Sequence, residues 1–141
     1  SATPDEVFRA WTEGDQLRRW FPTGAETEPK KGGRIYLQFL DPKDRGEFSF
    51  TEFRRPNLVS FTFGNRGEKV RVRIRKSGAG AVCELEQFDM KTTPKEKVQM
   101  HMGCKTGWVF FLTNLKAWLE HGIDLRSHDP KKSYRQSYVN S

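Results

Sequence analysis

The sequence is poor in cysteine and histidine, and it has no long apolar run. Its 141 residues include two cysteines, Cys83 and Cys104, and three histidines that do not recur at metal-ligand spacing. We therefore expect neither a disulfide scaffold nor a metal site. No stretch approaches the roughly 18 consecutive apolar residues of a membrane-spanning helix, and charges in the opening segment exclude a signal-peptide core. These absences predict a reduced, cytoplasmic protein without a membrane span.

Short catalytic motifs are absent as well. The chain contains no phosphate-binding G-x-x-x-x-G-K, no nucleophile elbow G-x-S-x-G and no zinc-binding H-E-x-x-H. Acid–base catalysis would also need paired ionisable groups inside a pocket, whereas the charges of the predicted strands fall on the face opposite the apolar residues. We therefore predict a protein that is not an enzyme, with no catalytic residues and no cofactor.

Positive charge is concentrated in the second half of the chain. The net charge is +7, and residues 66–76 carry six basic side chains against the single acidic Glu68. A hairpin turn at Gly78-Ala79 would oppose arginines to glutamates on a solvated sheet face, which explains most of this cluster. That register opposes Arg73 to Glu84 and Arg71 to Glu86, and it leaves Arg75, Lys69 and Lys76 unmatched. A weak polyanion site is the alternative, but nucleic-acid binding is disfavoured because the aromatic rings are predicted to point inward.

Aromatic residues are abundant, with 11 Phe, 4 Trp and 3 Tyr, and this argues against disorder. The opening Thr3-Pro4-Asp5-Glu6 is a capping box that predicts a helix ending near Gly14, and a second short helix follows up to Phe21. From Gly32-Gly33 onward, apolar residues alternate with polar ones. This period of two predicts five consecutive antiparallel strands, at about residues 35–39, 46–53, 58–63, 69–75 and 82–89.

A second capping box, Thr93-Pro94-Lys95-Glu96, predicts the start of a C-terminal helix, although Gly103 and Gly107 favour a break or a later start. From Trp108 to Leu119 a broad apolar stripe is typical of an amphipathic helix, and Gly122 predicts its C-cap. The element order predicts an α+β fold. A curved antiparallel sheet of five strands would wrap on the long C-terminal helix, with two short helices at the start.

Four segments of the chain carry a family resemblance. They are Thr3–Trp11 with Leu17–Phe21, Gly32–Arg34, Pro56–Gly64, and Gly107–Trp108 with Leu112–Leu119. In this order they resemble the START-like (SRPBCC) superfamily, which has the helix-grip fold, and within it the family related to the activator of heat-shock-protein-90 ATPase. The resemblance implies a START-like domain over residues 1–123, followed by a polar C-terminal tail at residues 124–141.

Members of that family begin with a β-strand before the first helix, whereas this sequence starts at the helix cap. The resemblance implies that the missing strand would pair with the last strand of the sheet, Val82–Asp89. We therefore expect an open edge there, with unpaired main-chain groups. A homodimer through Val82–Asp89, or coverage by the C-terminal tail, would satisfy those groups.

The resemblance also implies a cavity between the sheet and the C-terminal helix, suited to a small hydrophobic or lipid-like ligand. The residues predicted to line it are Trp11, Trp20, Leu37, Phe39, Phe48, Phe50, Phe61, Phe63, Val72, Leu85, Trp108, Phe111, Leu112 and Leu115. Gln87, Tyr36 and His101 are the polar groups available to orient a ligand. The alternative for these rings is an ordinary packed core. The alternative function, implied by the family name alone, is a co-chaperone-like interaction domain that modulates an Hsp90-type chaperone ATPase.

Overall fold

A computed structural model of the protein describes residues 1–129. Two short helices lead into an antiparallel sheet, and a long helix follows it. In chain order the elements are α1 (Pro4–Thr12), α2 (Gly14–Leu17), β1 (Gly24–Thr27), β2 (Arg34–Gln38), β3 (Arg45–Arg54), β4 (Leu58–Thr62), β5 (Lys69–Ser77), β6 (Gly80–Phe88) and α3 (Pro94–His121). Each strand pairs with the next, which makes the sheet a simple meander. The predicted α+β fold is confirmed.

The sheet has six strands, so the predicted number of five was wrong. The additional strand is β1, which pairs with β2 by opposing Ala25 to Leu37. Its sequence, Gly-Ala-Glu-Thr, has low strand propensity, and tertiary packing imposes the extended conformation. That packing is close, because a Cβ added at Gly14 would lie 2.9 Å from the carbonyl oxygen of Ala25.

The N-terminal helices pack on the sheet through their aromatic residues. The capping box is present as predicted: Glu6 N–H donates to Thr3 Oγ1 at 3.2 Å, and Thr3 N–H donates to Glu6 Oε2 at 2.7 Å. α1 buries Phe8 and Trp11 completely. After α2, Trp20 Nε1 donates to the Ala10 carbonyl at 2.9 Å and fixes the angle between the two helices.

The hairpin of β5 and β6 has the predicted register, with Arg73 opposite Glu84 and Arg71 opposite Glu86. Arg71 lies 3.7 Å from Glu86, so that predicted ion pair forms. The ion pairs of Arg73 and Arg75, however, run diagonally. Arg73 lies 3.2 Å from Glu86 and Arg75 lies 3.4 Å from Glu84, because long side chains reach diagonal neighbours across a pair of strands. The prediction that Arg75 is unmatched was therefore wrong.

Two further side chains of β5 are also paired. Lys69, predicted to be unmatched, lies 3.3 Å from Asp89. Arg71 reaches over Ser60 of β4 to Glu52 of β3, with a nitrogen–oxygen distance of 2.8 Å. Among the residues that the structure describes, only Lys76 of the three expected exceptions has no ion pair. The basic cluster is thus mostly neutralised on the outer face of the sheet.

The C-terminal helix α3 is continuous over its 28 residues, so the break or late start expected at Gly103 and Gly107 was wrong. The second capping box forms at Thr93 and Glu96, and Gly122 ends the helix in the left-handed conformation at φ 66°. A glycine inside a helix costs only about 1 kcal/mol relative to alanine. That cost is small beside the packing of Trp108 and Leu115, which are buried against the sheet.

The chain beyond α3 is anchored to the domain up to the limit of the described residues. Arg126 donates to the carbonyl oxygens of Pro22 and Arg18 at 2.7 and 2.8 Å. The predicted domain boundary at residue 123 stays a prediction, because most of the tail lies outside residues 1–129. Within those residues, no helix is long and apolar enough to cross a membrane, and no three His, Cys, Asp or Glu side chains are placed to hold a metal ion.

Candidate functional site

A connected cluster of aromatic rings fills the space between the sheet and the helices, and Phe21 is at its centre. Phe21 stacks on Trp20 with centroids 5.2 Å apart and meets Phe111 edge-on at 4.7 Å. It also contacts Phe39 at 5.3 Å and Trp108 at 5.4 Å. On one side of Phe21 the packing is solid, around the fully buried Trp11 and Trp20. On the other side the rings line an open space.

This space is a cavity of about 470 Å³, open to solvent. It lies between the β2–β3 turn, the β4–β5 loop, the inner side of α3 and the chain that follows α3. Aromatic rings form its floor and walls, and polar residues form its rim. The residues that line it are Phe21, Thr23, Phe39, Leu40, Asp41, Asp44, Arg45, Gly46, Phe48, Phe63, Gly64, Asn65, Gln87, Cys104, Gly107, Trp108, Phe111, Arg126, Ser127 and His128. Its volume falls within the range of about 300–1,000 Å³ that is usual for ligand pockets.

The cavity exists because small residues of α3 face the aromatic rings of the sheet. Gly107 and Cys104 lie on the inner side of the helix, one turn before Trp108 and Phe111. A Cβ added at Gly107 would meet no atom within 4 Å, so a larger side chain would extend into free space. The glycine thus leaves room between the helix and the rings of Phe39, Phe48 and Phe63.

One polar side chain is held inside the cavity in a defined orientation. Trp108 Nε1 donates to Gln87 Oε1 at 2.8 Å. Because an indole nitrogen can only donate, the oxygen of Gln87 must face it, and the Gln87 NH₂ group is left to donate elsewhere. Among the described residues that group has no hydrogen-bond partner. A ligand atom that accepts a hydrogen bond would find a donor there.

The rim of the cavity carries both signs of charge. Asp41 and Asp44 follow β2, and partial burial together with the neighbouring Asp41 charge raises the pKa of Asp44. On the opposite side, Arg126 and His128 both contact Asp124, at 2.7 and 3.0 Å. Burial by itself would raise the pKa of Asp124, but hydrogen bonds from Arg126 hold it at about 2. Asp124 is therefore a permanent anion at neutral pH.

Ser127, His128 and Asp124 are residue types that form hydrolytic triads, but their geometry differs from a triad. His128 Nε2 faces Asp124 Oδ2, while Ser127 Oγ accepts from the Asp129 backbone N–H at 3.3 Å. Within residues 1–129 no hydrogen bond joins the serine hydroxyl to the histidine ring. The serine thus has no base to activate it. In residues 124–129 the ion pair of Asp124 and Arg126 instead holds the segment after α3 against the domain, through the Pro22 and Arg18 carbonyls.

The fourteen residues predicted to line a cavity fall into three groups. Five of them line the cavity described above: Phe39, Phe48, Phe63, Trp108 and Phe111. Leu112 and Leu115 line a second space. The other seven pack in the core or against it: Trp11, Trp20, Leu37, Phe50, Phe61, Val72 and Leu85. Of the three polar candidates, Gln87 lines the cavity, whereas His101 is exposed and Tyr36 bonds to Gln38 at 3.3 Å. Whether these side chains contact a ligand stays a prediction.

Sequence reasoning missed most of the rim. Asn65, Ser127 and His128 lie in loops without periodicity, and only the fold brings them to the same opening. In the sequence, Gly107 predicts a break in the helix and gives no sign that it leaves space beside the rings. Phe21 was recognised as an apolar helix residue, but its position after the helix gave no indication that it faces the cavity.

The second space is a groove of about 440 Å³ beside β6. It is bordered by the start of α1, by Ala81 and Cys83 of β6, and by the C-terminal half of α3. Burial raises the pKa of the Cys83 thiol to about 11, so the thiol is protonated and a poor nucleophile at neutral pH. The neighbouring Trp11 side chain acts in the opposite direction, because its hydrogen bond to the sulfur lowers the pKa of the thiol, but burial outweighs this effect.

The outer edge of β6 carries unpaired main-chain groups. Ser77 and Gly80 flank a two-residue turn and therefore form a hydrogen-bonded pair, after which bonded and non-bonded pairs alternate. The N–H and C=O groups of Ala81, Cys83, Leu85 and Gln87 consequently point away from β5. The Ile74 N–H fits this alternation. It donates to the carbonyl of Asn57, just before β4, and not to Cys83, which lies opposite Ile74 on β6. Among the described strands, none pairs with this edge.

Comparison with known proteins identifies relatives of this fold. A family model described as Activator of Hsp90 ATPase homolog 1-like protein matches residues 1–120. A crystal structure of a Staphylococcus saprophyticus protein is similar over 89% of this chain and 90% of its own, with 24% identity and a TM-score of 0.78. A Nitrosomonas europaea protein covers 86% and 89%, with 20% identity and a TM-score of 0.72. The solution structure of the Aha1 dimer from Colwellia psychrerythraea covers 86% and 90%, with 20% identity and a TM-score of 0.72. No curated protein matches the chain.

Proposed function

The chain belongs to the family of Activator of Hsp90 ATPase homolog 1-like proteins, and on that basis we propose that it is a non-enzymatic START-like domain that binds a small hydrophobic or lipid-like molecule. The ligand would occupy the aromatic cavity between the sheet and α3. The observation that carries this proposal is the open space at Gly107, which the surrounding rings do not fill. The family resemblance inferred from the sequence is confirmed by the match over residues 1–120.

The chemistry of the cavity indicates the kind of ligand. Six aromatic rings offer an apolar, flat-walled space, and the Gln87 NH₂ group offers one oriented donor. We infer a ligand with an apolar, preferably planar body and one acceptor oxygen that reaches Gln87. The same cavity supports the absence of catalysis, because its charged groups stand on the rim, and burial raises the pKa of the one thiol inside, Cys104. The free cysteines support a reducing, cytoplasmic setting.

Filling the cavity from α3 tests the proposal. The variant Gly107→Phe places a ring in the free space, and Thr106→Phe adds the same ring one residue away, on the exposed side of the helix. The probe is 1-anilinonaphthalene-8-sulfonate, whose fluorescence rises in apolar sites. We expect wild type and Thr106→Phe to bind one molecule each, and Gly107→Phe to bind at least about tenfold more weakly. Equal binding by all three proteins would contradict the proposal.

A co-chaperone function is the second candidate, and the description of the matching family favours it. In this alternative the domain would contact an Hsp90-type chaperone and change its ATPase rate. The same variants separate the two functions. A carrier loses its function in Gly107→Phe, whereas a co-chaperone that acts through its surface keeps its effect on the ATPase rate with the cavity filled. Chaperone ATPase assays with wild type and Gly107→Phe therefore decide between them.

We further propose a homodimer that forms through the edge strand β6. The outward-facing groups of Ala81, Cys83, Leu85 and Gln87 provide the hydrogen bonds that a second strand needs. A relative of similar fold, the Aha1 protein of Colwellia psychrerythraea, forms a dimer. An antiparallel pairing of two copies of β6 would continue the sheet from one protomer to the next.

A proline in β6 tests this interface. Leu85→Pro removes an outward-facing N–H and leaves the bonds to β5 in place, whereas Leu85→Ala removes the same side chain but keeps the N–H. By sedimentation equilibrium we expect wild type and Leu85→Ala to be dimers and Leu85→Pro to be a monomer with an intact β-sheet spectrum. A monomeric wild type at about 100 μM would rule out the interface, since that concentration exceeds usual dissociation constants.

A further inference from the structure

The first half of α3 presents apolar side chains to solvent. Val98 and Met102 are each 67% exposed, and Val109 is 56% exposed. Positions 98, 102 and 109 lie on one side of an α-helix, because 3.6 residues complete a turn. We call these three residues the outer stripe. Large apolar side chains so exposed on one helix side have no role in the core of this domain.

Exposed lysines lie near the outer stripe: Lys95 and Lys105 on the same side of α3, Lys97 next to Val98 in the chain, and Lys91 just before the helix. Lys91, Lys95, Lys97 and Lys105 are all exposed, and the only acidic residue between positions 91 and 109 is Glu96. Glu96 faces Arg66 of the β4–β5 loop at 3.8 Å, so its charge is already compensated. The surface therefore combines an apolar stripe with a net positive charge.

The start of α3 lies next to the β4–β5 loop, which forms part of the cavity rim. Arg66 donates to the Lys91 carbonyl at 3.2 Å and pairs with Glu96, which holds the start of α3 against the β4–β5 loop. The same loop contributes Gly64 and Asn65 to the rim. The opposite side of the same helix lines the cavity through Cys104 and Gly107.

We propose that the outer stripe and its lysines dock on an anionic lipid surface. A helix with apolar residues on one side, flanked by lysines, is the arrangement that lies in the interface of an anionic bilayer, and clusters of four to eight basic residues attract such a bilayer. Among residues 91–109 the exposed side chains include no tryptophan, tyrosine or arginine of the kind that anchors protein interfaces. Isolated valine and methionine side chains among lysines with long flexible side chains suit a fluid lipid surface better than a protein surface of fixed shape.

The proposal goes beyond the proposed ligand binding and does not depend on it. Neither the outer stripe nor its lysines line the cavity, so the surface docks whether or not the cavity is occupied.

Vesicle co-sedimentation of the full chain tests the docking. The probes are vesicles of pure phosphatidylcholine and vesicles with about 30% phosphatidylserine, at about 50 mM NaCl. Three double variants keep the fold because they change only exposed side chains: Val98→Gln/Met102→Gln, Lys95→Gln/Lys97→Gln, and the control Lys30→Gln/Lys31→Gln in the β1–β2 turn. The control removes the same charge from a distant surface. Thermal unfolding checks that each variant is folded.

We expect wild type and the Lys30/Lys31 control to bind the anionic vesicles and not the neutral ones. Removing Lys95 and Lys97 should weaken binding roughly tenfold or more, since each lysine near an anionic surface contributes about a factor of five. Removing Val98 and Met102 should weaken it as well. The proposal is overturned if wild type does not bind, or if the control weakens binding as much as Lys95→Gln/Lys97→Gln. It is also overturned if polyglutamate binds with the same variant dependence while vesicles do not, which would make the surface a protein-docking site.

Discussion

Asn114 is a buried polar residue that holds the segment after α3 in place. It is fully buried, donates to the Trp20 carbonyl at 2.7 Å and to Asp124 at 3.2 Å, and accepts from the Leu125 N–H at 2.7 Å. In these three bonds the NH₂ group donates twice and the oxygen accepts once. They join α3 to Trp20, which precedes the sheet, and to the segment that follows α3. Nothing in the sequence distinguishes this asparagine from a surface residue.

Replacing Asn114 by alanine should therefore cost about 2–4 kcal/mol of unfolding free energy, because the buried Trp20 carbonyl and the part-buried Leu125 N–H lose their partners. Urea denaturation at neutral pH measures the change. Asn65→Ala, which alters an exposed asparagine, should change the same quantity by less than about 0.5 kcal/mol. Similar values for the two variants would show that the Asn114 bonds contribute little.

The Asp124 carboxylate makes the stability of the protein depend on pH in the acid range. Its pKa is about 2 in the folded state, against an ordinary value of 3.8, so the unfolded chain takes up the proton first as the pH falls. The stabilisation is complete above about pH 4 and is lost as the pH falls toward 2. Asp124→Asn should thus be less stable than wild type by about 1 kcal/mol at pH 7, after allowance for solvent screening.

The difference between wild type and Asp124→Asn should shrink as the pH falls from about 4 to about 2, and chemical denaturation at a series of pH values measures it. Other carboxyl groups titrate in the same range, but they are common to both proteins and cancel in the comparison. A difference that stays constant down to pH 2 would contradict the assigned pKa.

At the scale of elements, the sequence predicts those strands and helices whose apolar residues recur with a regular period. The alternation in Val70, Val72 and Ile74 sets strand, face and register of β5 correctly, because one residue of slip would bury arginines. β1 was missed because its extended form comes from packing against α2 and β2, not from its own residues. The break expected in α3 failed for the related reason that tertiary packing outweighs the propensity of two glycines.

Gly107 should therefore lower the stability of α3, although it also leaves the space that forms the cavity. Gly107→Ala should raise the unfolding free energy by about 0.5–1 kcal/mol, since the position is helical and an added Cβ meets no atom. Thermal and urea denaturation measure the gain. Gly14→Ala is the matched comparison and should lower stability, because its Cβ would lie 2.9 Å from the Ala25 carbonyl oxygen. A loss of stability in Gly107→Ala would show that the space at this position is filled.

At the scale of the whole molecule, the aromatic cluster divides the interior into a solid half and an open half. The solid half, around Trp11 and Trp20, holds α1 to the sheet, and the open half lies under the middle of α3. The sequence predicts the rings but not this division, because inward-facing aromatic residues look alike whether they touch each other or a void. Only the three-dimensional offset between Gly107 and the rings of β2, β3 and β4 decides which ones face the cavity.

Phe21 stands at the boundary between the two halves, so shortening it should enlarge the cavity inward. Phe21→Ala should cost about 3–5 kcal/mol of unfolding free energy, and it should favour a larger apolar probe, 1-anilinonaphthalene-8-sulfonate, over the smaller 1-naphthol. Phe53→Ala is the control, because Phe53 contacts Phe8 and Phe50 away from the cavity. It should lose stability while leaving the ratio of the two affinities unchanged. If Phe53→Ala changes that ratio as much as Phe21→Ala does, Phe21 does not set the depth of the cavity.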